Sequence, residues 1–307
     1  MDTTRFSNKQ ASCLLPVRSS FVCNLDGRSR LILHLQEGSK ESFGEAAPLP
    51  GWSGESLEEI ARQAITLTPP FAPSLTFAML SALATLRDPL FDIPPIPVSY
   101  LLKGSLSEIG IQAEKAIFSG FKSAKLKIGH LDFNEALYLV RQLKDHLYLR
   151  LDVNRAWDLD EALSFFSHFR KEDFDYVEEP LKNPHDLCFF THPFALDESL
   201  REDFFIDHPL LKALIIKPTL HKDWLKWLGR GKEVILSSAF ESDLGIAHIA
   251  LLAYRLKLNK NSLGLGTLSY IHDTLLEESL ELVNGHLILP SKITIKKELL
   301  HALPLPH

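Results

Sequence analysis

Cysteine is scarce in this chain, and the little there is has no metal-binding spacing. Cys13, Cys23 and Cys188 are the only three in 307 residues. An odd number of widely separated cysteines argues for reduced thiols in a cytoplasmic protein, not for a disulfide framework or a zinc site. No stretch approaches the roughly 18 apolar residues that cross a membrane. The opening Met-Asp-Thr-Thr-Arg-Phe lacks the apolar core of a secretory leader. A basic excess is also lacking: the formal net charge is −6, which speaks against a nucleic-acid-binding face. No His-Glu-x-x-His and no Gly-x-Ser-x-Gly motif is present. What is present is an ordinary globular balance, 45% hydrophobic and 23% charged, at a length that suits one large domain or two smaller ones. These features lead to the expectation of a soluble cytoplasmic protein, with monomer and homo-oligomer both open.

Residues 1–95 read as one unit. Two strands, 20–25 and 30–36, flank an Asp26-Gly27 hairpin turn, and 42–46 forms a third. A Pro- and Gly-rich loop, 48–54, leads to a helix at 57–67, with Ser56 as its cap and Glu59 placed for a capping box. Pro69 and Pro70 end it, and a second helix spans 74–86. Strands followed by helices indicate a small α+β domain. The proline-rich 92–97 reads as a linker.

Beyond it, short apolar runs alternate with amphipathic stretches. Strands are expected at 98–102, 123–128, 147–153, 174–178, 194–197, 213–217, 233–237 and 262–265. Helical patterns lie between them at 106–119, 132–145, 159–170, 184–191, 201–208, 221–229 and 242–257. Such alternation predicts an α/β fold with a parallel sheet, and eight units favour closure into a TIM-type barrel. An open doubly wound sheet is the alternative, but no Gly-rich phosphate loop follows the first strand. The barrel would occupy 96–270. The segment 271–307, with strand-like runs at 285–289 and 292–296, would return to the first domain.

The ionisable residues give these strands meaning. In Ser-Ala-Lys-Leu-Lys-Ile-Gly (123–129), Lys125 and Lys127 share one face of a strand whose other face is apolar. Two ammonium groups side by side require either an exposed edge or anions nearby. Asp152 ends the third strand, Glu178 and Glu179 the fourth, Asp197 and Glu198 the fifth, Lys217 the sixth, and Ser237 and Ser238 the seventh. Taken singly, each has a plain explanation: an Asp after a strand is commonly a helix cap, and a strand-end lysine commonly lies along the surface. Taken together, a charge recurs at the same end of five successive strands, at intervals of about one strand-plus-helix unit. In a parallel barrel that end is the C-terminal rim, where active sites lie.

Asp152, Glu178 and Asp197 then converge as three hard oxygen ligands suited to Mg²⁺, with Mn²⁺ as a substitute. A divalent metal beside a substrate carboxylate stabilises the enediolate formed when the α-proton leaves. An uncharged Lys127 would remove that proton, and a metal and the Lys125 ammonium nearby favour its uncharged form. Lys217, on the opposite side, would stabilise developing negative charge or act as a second acid/base.

These residues resemble the enolase superfamily and, within it, the o-succinylbenzoate synthase family, over nearly the whole chain. The resemblance is carried by Lys125-Leu-Lys127, by Arg150-Leu-Asp152-Val-Asn154-Arg-Ala-Trp157, by Glu178-Glu179-Pro180, by Asp197-Glu198-Ser-Leu-Arg201 and by Lys217-Pro-Thr. Leu236-Ser237-Ser238-Ala239-Phe240-Glu241-Ser242, Gly264-Leu-Gly266-Thr267 and Gly44-Glu-Ala-Ala-Pro-Leu-Pro-Gly51 add to it. It implies a (β/α)7β barrel under an N-terminal α+β capping domain completed by the C-terminal segment. The implied reaction is dehydration of 2-succinyl-6-hydroxy-2,4-cyclohexadiene-1-carboxylate to 2-succinylbenzoate in menaquinone biosynthesis. Lys127 would be the base and would return the proton to the departing hydroxyl. Lys217 would face the anionic intermediate as a cation over the ring, and Lys125 would tune Lys127. Glu178 would be the direct ligand, with Glu179 and Glu198 behind the ligand set. Arg150, Asn154, Ser237, Ser238 and Gly264 would contact the substrate or support its contacts.

Phe240 and Asp243 stand where the resemblance leads one to expect smaller residues, and both would shape the pocket floor. A loop at 17–23 should cover the substrate. Two other readings remain. Relatives with the same lysine pair racemise N-acylamino acids, epimerise dipeptides or cycloisomerise muconate. A non-catalytic binding barrel is the third, which would be expected to have lost a carboxylate or Lys127. The histidines, His130 and His248 among them, share no spacing, and most read as surface residues; Trp157, Trp224 and Trp227 read as packing more than substrate stacking.

Overall fold

The computed structural model describes residues 17–303 apart from Leu90, Phe91 and Asp203, so Cys13 lies outside the described residues. The N-terminal part is an antiparallel sheet of β1 (Val17–Leu25), β2 (Arg28–Glu37) and β3 (Lys40–Ala46), followed by α1 (Leu57–Thr66) and α2 (Pro73–Arg87). Asp26 and Gly27 both have positive φ, 52° and 71°, which is the type I′ geometry that matches strand twist. The Ser56 side chain accepts the Glu59 N–H at 3.2 Å and so caps α1. Leu31, Leu33 and Ala46 bury one face of the sheet against Ile60, Leu75, Ala78 and Met79. Ile32 and Phe43, with Cys23 and Leu25, bury the other against Leu244, Ala247 and Leu275. At Gly44 a Cβ would lie 2.1 Å from the Ala78 carbonyl oxygen, so α2 rests directly on β3 and only glycine fits. Residues 17–23 correct one expectation: they are strand β1, paired with β2 from Val17↔Leu35 onward, and not a loop over the substrate.

Next come β4 (Ile96–Pro97), β5 (Tyr100–Leu102), α3 (Leu106–Phe118), β6 (Ser123–Lys127), α4 (Phe133–Leu143), β7 (Tyr148–Asp152), α5 (Leu159–Phe166), β8 (Tyr176–Glu178), β9 (Phe194–Leu196), α6 (Glu198–Arg201), β10 (Leu211–Ile216), β11 (Glu233–Leu236) and α7 (Asp243–Arg255). Strands β5 to β11 form one parallel sheet in sequence order. Its two edges meet at residues 263–264. Leu263 N donates to Pro97 O (2.8 Å) and Gly264 N to Leu236 O (2.9 Å), with parallel bridges Val98↔Leu263 and Ser237↔Gly264. The sheet is thereby a TIM-type barrel beneath an N-terminal cap. Leu126, Leu149, Leu151, Val177, Leu196, Leu214 and Leu236 face the surrounding helices in the main core. The alternate residues Tyr176, Ala195, Ala213, Ile215 and Ile235 pack inside the ring.

Three of the expected helices are shorter than the pattern suggested. Residues 184–191 form a 3₁₀ turn (Pro184–Phe189), 201–208 retain only the end of the one-turn α6, and 221–229 hold a 3₁₀ turn (Trp224–Trp227). The reasons are local. His208 precedes a proline, which disfavours the helical region; Asp223, Gly229 and Gly231 all have positive φ. Where a full helix would follow β10, α2 and α7 instead flank a cavity of about 710 Å³.

The chain after α7 runs back over the cap. β12 (Glu281–Val283) and β13 (His286–Ile288) form a small sheet with β4, and β14 (His301–Ala302) pairs with β1. At 292–296 a single bridge, Leu276↔Ile295, replaces the expected strand. Asp243 is not on the pocket floor: its carboxylate accepts Leu275 N (2.9 Å) and Leu276 N (3.0 Å), fastening this returning segment to α7. Most of the described histidines, His130 among them, are at least partly exposed as expected, whereas His192, His221 and His248 are buried. Trp157 and Trp227 are core residues, as expected. Among the described residues no helix is long and apolar enough to cross a membrane.

Candidate active site

Strand register assembles the charged groups. Lys127 pairs with Asp152 and Asp152 with Glu178, so the three occupy one level of β6, β7 and β8; Lys125 and Arg150 lie one level below. Period-two alternation turns them all into the ring, because their neighbours Ala124, Leu126, Leu151 and Val177 belong to the outer core. Asp152 is no helix cap, for Asp158 caps α5. Asp197 stands at the N-cap position of α6 but makes no capping hydrogen bond.

The contacts are dense. The Lys125 ammonium lies 2.9 Å from Asp152 Oδ2 and 2.6 Å from Glu178 Oε1. Lys127 Nζ donates to Asp152 Oδ2 (2.9 Å) and Asn154 Oδ1 (2.7 Å). Across the ring, Lys217 Nζ pairs with Asp197 Oδ2. Asn154 Nδ2 donates to Glu198 Oε1 (3.1 Å), which brings Glu198 to the wall of the site instead of behind it. Glu179, by contrast, turns away: it accepts Asp197 N (2.7 Å), Ser199 N (2.8 Å) and Ser199 Oγ (2.7 Å), and so holds the backbone that presents Asp197. Asn154, Glu179 and Phe240, each just past a barrel strand, have φ of 49°, 42° and 59°. Non-glycine residues persist in that region only where their surroundings impose it, and such places cluster at functional sites.

Burial dominates the electrostatics. It pushes the Glu178 carboxyl up to about 8, with Asp152 and Asp197 adding to the rise and Lys125 opposing it. Burial likewise lifts Glu179 to about 7. Asp152 is held below its ordinary value because Lys125 and Lys127 outweigh the burial penalty, and Lys217 does the same for Asp197. Burial disfavours the Lys125 and Lys217 ammonium groups, yet attraction to the carboxylates more than offsets it, so both stay charged.

Four carboxyl groups (Asp152, Glu178, Asp197, Glu198) thus gather with three ammonium groups (Lys125, Lys127, Lys217) at one end of the ring. Among the described residues, ammonium groups lie between the acids, and no cluster of three acidic, imidazole or thiol side chains forms a finished cage. Asp197 Oδ1 and Glu198 Oε2 are nonetheless buried with no hydrogen-bond partner. Orphaned carboxylate oxygens of this kind, among hard oxygen donors, fit Mg²⁺.

Lys125, Lys127, Asn154, Glu178, Glu198 and Lys217 line a cavity of about 150 Å³ at the C-terminal rim. Ser237 Oγ and Ser238 Oγ donate to Gly264 O at 3.1 and 3.2 Å, and Ser238 also bonds Thr267 Oγ1. Arg150 forms the floor, its donors taken by Asp175 (2.9 Å), Ser99 (3.1 Å) and the Ser262 carbonyl (2.6 Å). Thr267 and Leu49, which belong to segments carrying the resemblance, line the cavity, as do Ser99 and Trp52, which the sequence did not mark. Trp52 comes from the cap, 5.9 Å from Lys217 Nζ to its ring centroid. Its place at the end of Pro48-Leu-Pro-Gly51 was the available signal.

Known proteins resemble this chain in sequence and in fold. The family described as "MenC, N-terminal domain" matches residues 15–84, and "Enolase C-terminal domain-like" matches residues 108–204. The o-succinylbenzoate synthase of Klebsiella pneumoniae (strain 342) is 32% identical over 258 residues, 75% of this chain and 80% of that protein. That of Pasteurella multocida (strain Pm70) is 28% identical over 281 residues, 78% of this chain and 82% of that one. Among solved structures, o-succinylbenzoate synthase from Thermosynechococcus elongatus BP-1, with Mg in its active site, superposes with a TM-score of 0.69 at 24% identity, covering 85% of this chain and 94% of that one. Muconate cycloisomerase from Pseudomonas fluorescens superposes with 0.72 at 17% identity, covering 92% and 97%. At these identities the structural likenesses show the fold; the sequence relatives carry the assignment, and the chain belongs to the o-succinylbenzoate synthase family of the enolase superfamily.

Proposed function

We propose that this enzyme dehydrates 2-succinyl-6-hydroxy-2,4-cyclohexadiene-1-carboxylate to 2-succinylbenzoate, with Lys127 as the base. The observation that carries the reading is the placement of Lys127 and Lys217 on opposite sides of one small cavity, each against its own carboxylate. Asp152, Glu178 and Asp197 would hold Mg²⁺ or Mn²⁺, which when bound supplies positive charge to offset that developing on the substrate carboxylate. Lys127, uncharged, takes the proton from the ring carbon bearing that carboxylate. The same nitrogen returns it to the hydroxyl on the neighbouring carbon; the C–O bond breaks, water leaves and the ring becomes aromatic. Asn154 and Asp152 aim Lys127 through the contacts given above. Lys217 stays charged and faces the anionic ring, and Lys125 stays charged between Asp152 and Glu178. Arg150 supports the floor, while Ser237, Ser238 and Gly264 border the substrate.

The reading includes a count of seven βα units and a closing strand at 263–264, a cap of 1–95 joined by 271–307 over a barrel of 96–270, and a cytoplasmic place in menaquinone synthesis. A non-catalytic barrel would be expected to have lost a carboxylate or Lys127, and the sequence keeps all of them, which supports the catalytic reading. The test is turnover of the purified protein with Mg²⁺ on the cyclohexadiene and on N-acylamino acids and dipeptides. Formation of 2-succinylbenzoate as the fastest reaction is expected; racemisation or epimerisation at a higher kcat/KM would overturn the assignment, because a 1,1-proton transfer can use both lysines.

A further inference from the structure

Four lysines reach the rim of the barrel, and three of them are neutralised. Lys125, Lys127 and Lys217 each touch a carboxylate. Lys103, the first residue past β5, does not: among the described residues its ammonium has aromatic faces for company and no acid. Its Nζ lies 4.3 Å from the Tyr270 ring centroid and 4.8 Å from that of Phe240. Aromatic faces hold a cation in place without cancelling its charge.

The surroundings are built, not incidental. Gln112 clamps the Lys103 backbone from both sides, its Oε1 accepting Lys103 N (2.9 Å) and its Nε2 donating to Lys103 O (2.8 Å). The Tyr270 hydroxyl donates to the same Gln112 Oε1 (3.1 Å) and to Leu101 O (3.0 Å), which fixes the ring. Phe240 is held in the left-handed region, φ 59°, with its carbonyl accepting Arg28 Nη1 at 2.7 Å. A bulky residue in that conformation needs such restraint, and the restraint places its ring both on the cavity wall and beside Lys103. Burial, and then the like charge of Lys127, disfavour the Lys103 ammonium. A half-buried cation with no counter-ion is stabilised by an incoming anion.

Position in the ring indicates which anion. Lys103, Phe240 and Tyr270 follow the first, seventh and closing segments of the barrel, whereas Asp152, Glu178 and Asp197 end the third, fourth and fifth strands. The two sets therefore face each other across the mouth. We propose that Lys103, seated between Phe240 and Tyr270, receives the second, distal carboxylate of a dicarboxylate substrate. This rests on the function proposed above, whose substrate has a ring carboxylate at the reacting carbon and a succinyl chain ending in another. Lys103 is then a specificity-determining residue, selecting substrates with an acid at the far end of a short chain.

The test is calorimetric binding of 2-succinylbenzoate and of its succinyl-chain methyl ester to the Mg²⁺-supplemented wild type, Lys103→Met and Lys103→Arg. Loss of one charge-assisted contact should weaken the diacid about 10- to 100-fold in Lys103→Met. The ester, already weak, should bind the wild type and Lys103→Met alike, and Lys103→Arg should recover most of the diacid affinity. Equal weakening of both ligands, or of neither, would overturn the anchor while leaving the functional reading intact. A wild type that neither turns over the cyclohexadiene nor binds 2-succinylbenzoate would overturn both. Matching melting curves for the three proteins separate a lost contact from a lost fold.

Discussion

Glu45 on β3 and Ser242 at the head of α7 join the cap to the barrel. The Glu45 carboxylate accepts the Ser242 N–H at 2.9 Å, its hydroxyl, and the Gly245 N–H at 2.9 Å, with both Glu45 and Ser242 fully buried. A cap residue thus satisfies the open N–H groups of a barrel helix, just after the segment carrying Ser237, Ser238 and Phe240.

Arg30, 3.0 Å from Glu45 and itself 3% exposed, depends on that carboxylate. Glu45→Ala should therefore cost about 3–5 kcal/mol, the range for removing one partner of a buried pair. Urea unfolding of the variant beside the wild type measures it; an unchanged midpoint would show that the clamp does not hold the domains.

Lys127→Ala should lower kcat by about 10²–10⁴-fold or more, the contribution of a positioned general base. Lys127 is partly exposed at the cavity, so the far-UV spectrum and melting temperature should stay near those of the wild type. Near-wild-type turnover would remove Lys127 from its role.

Chelation should abolish turnover, and added Mg²⁺ or Mn²⁺ should restore it. The excess of buried acids over ammonium groups gives a second readout. A cation that binds only the folded chain stabilises it by RT ln(1 + [L]/Kd), so the melting temperature should climb with Mg²⁺ concentration. Indifference of both turnover and melting to the cation would refute the three-carboxylate site.

Acid should destabilise the fold in part through His248. This side chain is 2% exposed on the cavity between α2 and α7, its Nδ1 has no partner, and burial holds it down to about 4. The unfolded imidazole takes a proton near 6.5, the folded one only near 4. The unfolded state therefore binds more protons between those values, and stability present above about pH 6.5 is lost as pH falls toward 4, by about 3 kcal/mol. His248→Leu should flatten the decline of the urea midpoint across that window. An equally steep decline would assign it to other groups, His221 first, which burial also holds down to about 4.

Much of this site was legible before any coordinates. Period two in 123–129 put Lys125 and Lys127 on one face, and the same parity selected Glu178 over Glu179 for the ring interior. Asp152, Asp197 and Lys217 followed because each sits at the same phase of its own strand. Asp26-Gly27 and Ser56 specified their turn and cap locally, since backbone conformation and the nearest N–H groups decide both. After β8, β9 and β10 the apolar spacing suggests fuller helices than form, because spacing alone cannot weigh a proline or a left-handed residue against a helix.

What the chain by itself determined is therefore whatever depends on neighbours within one strand or one turn: which face a side chain takes, where a turn falls, which end of a strand carries charge. Only the tertiary structure decided that the first strand reaches back to Val17, that His248 is buried, that Glu198 and Trp52 reach the cavity, and that Lys103 meets Phe240 and Tyr270. Those meetings join residues far apart along the chain: Trp52 arrives with the cap, and Lys103 meets Phe240 and Tyr270 because closure brings the first and last strands of the ring together. Closure fixes the register of all strands at once, so no local stretch encodes it alone.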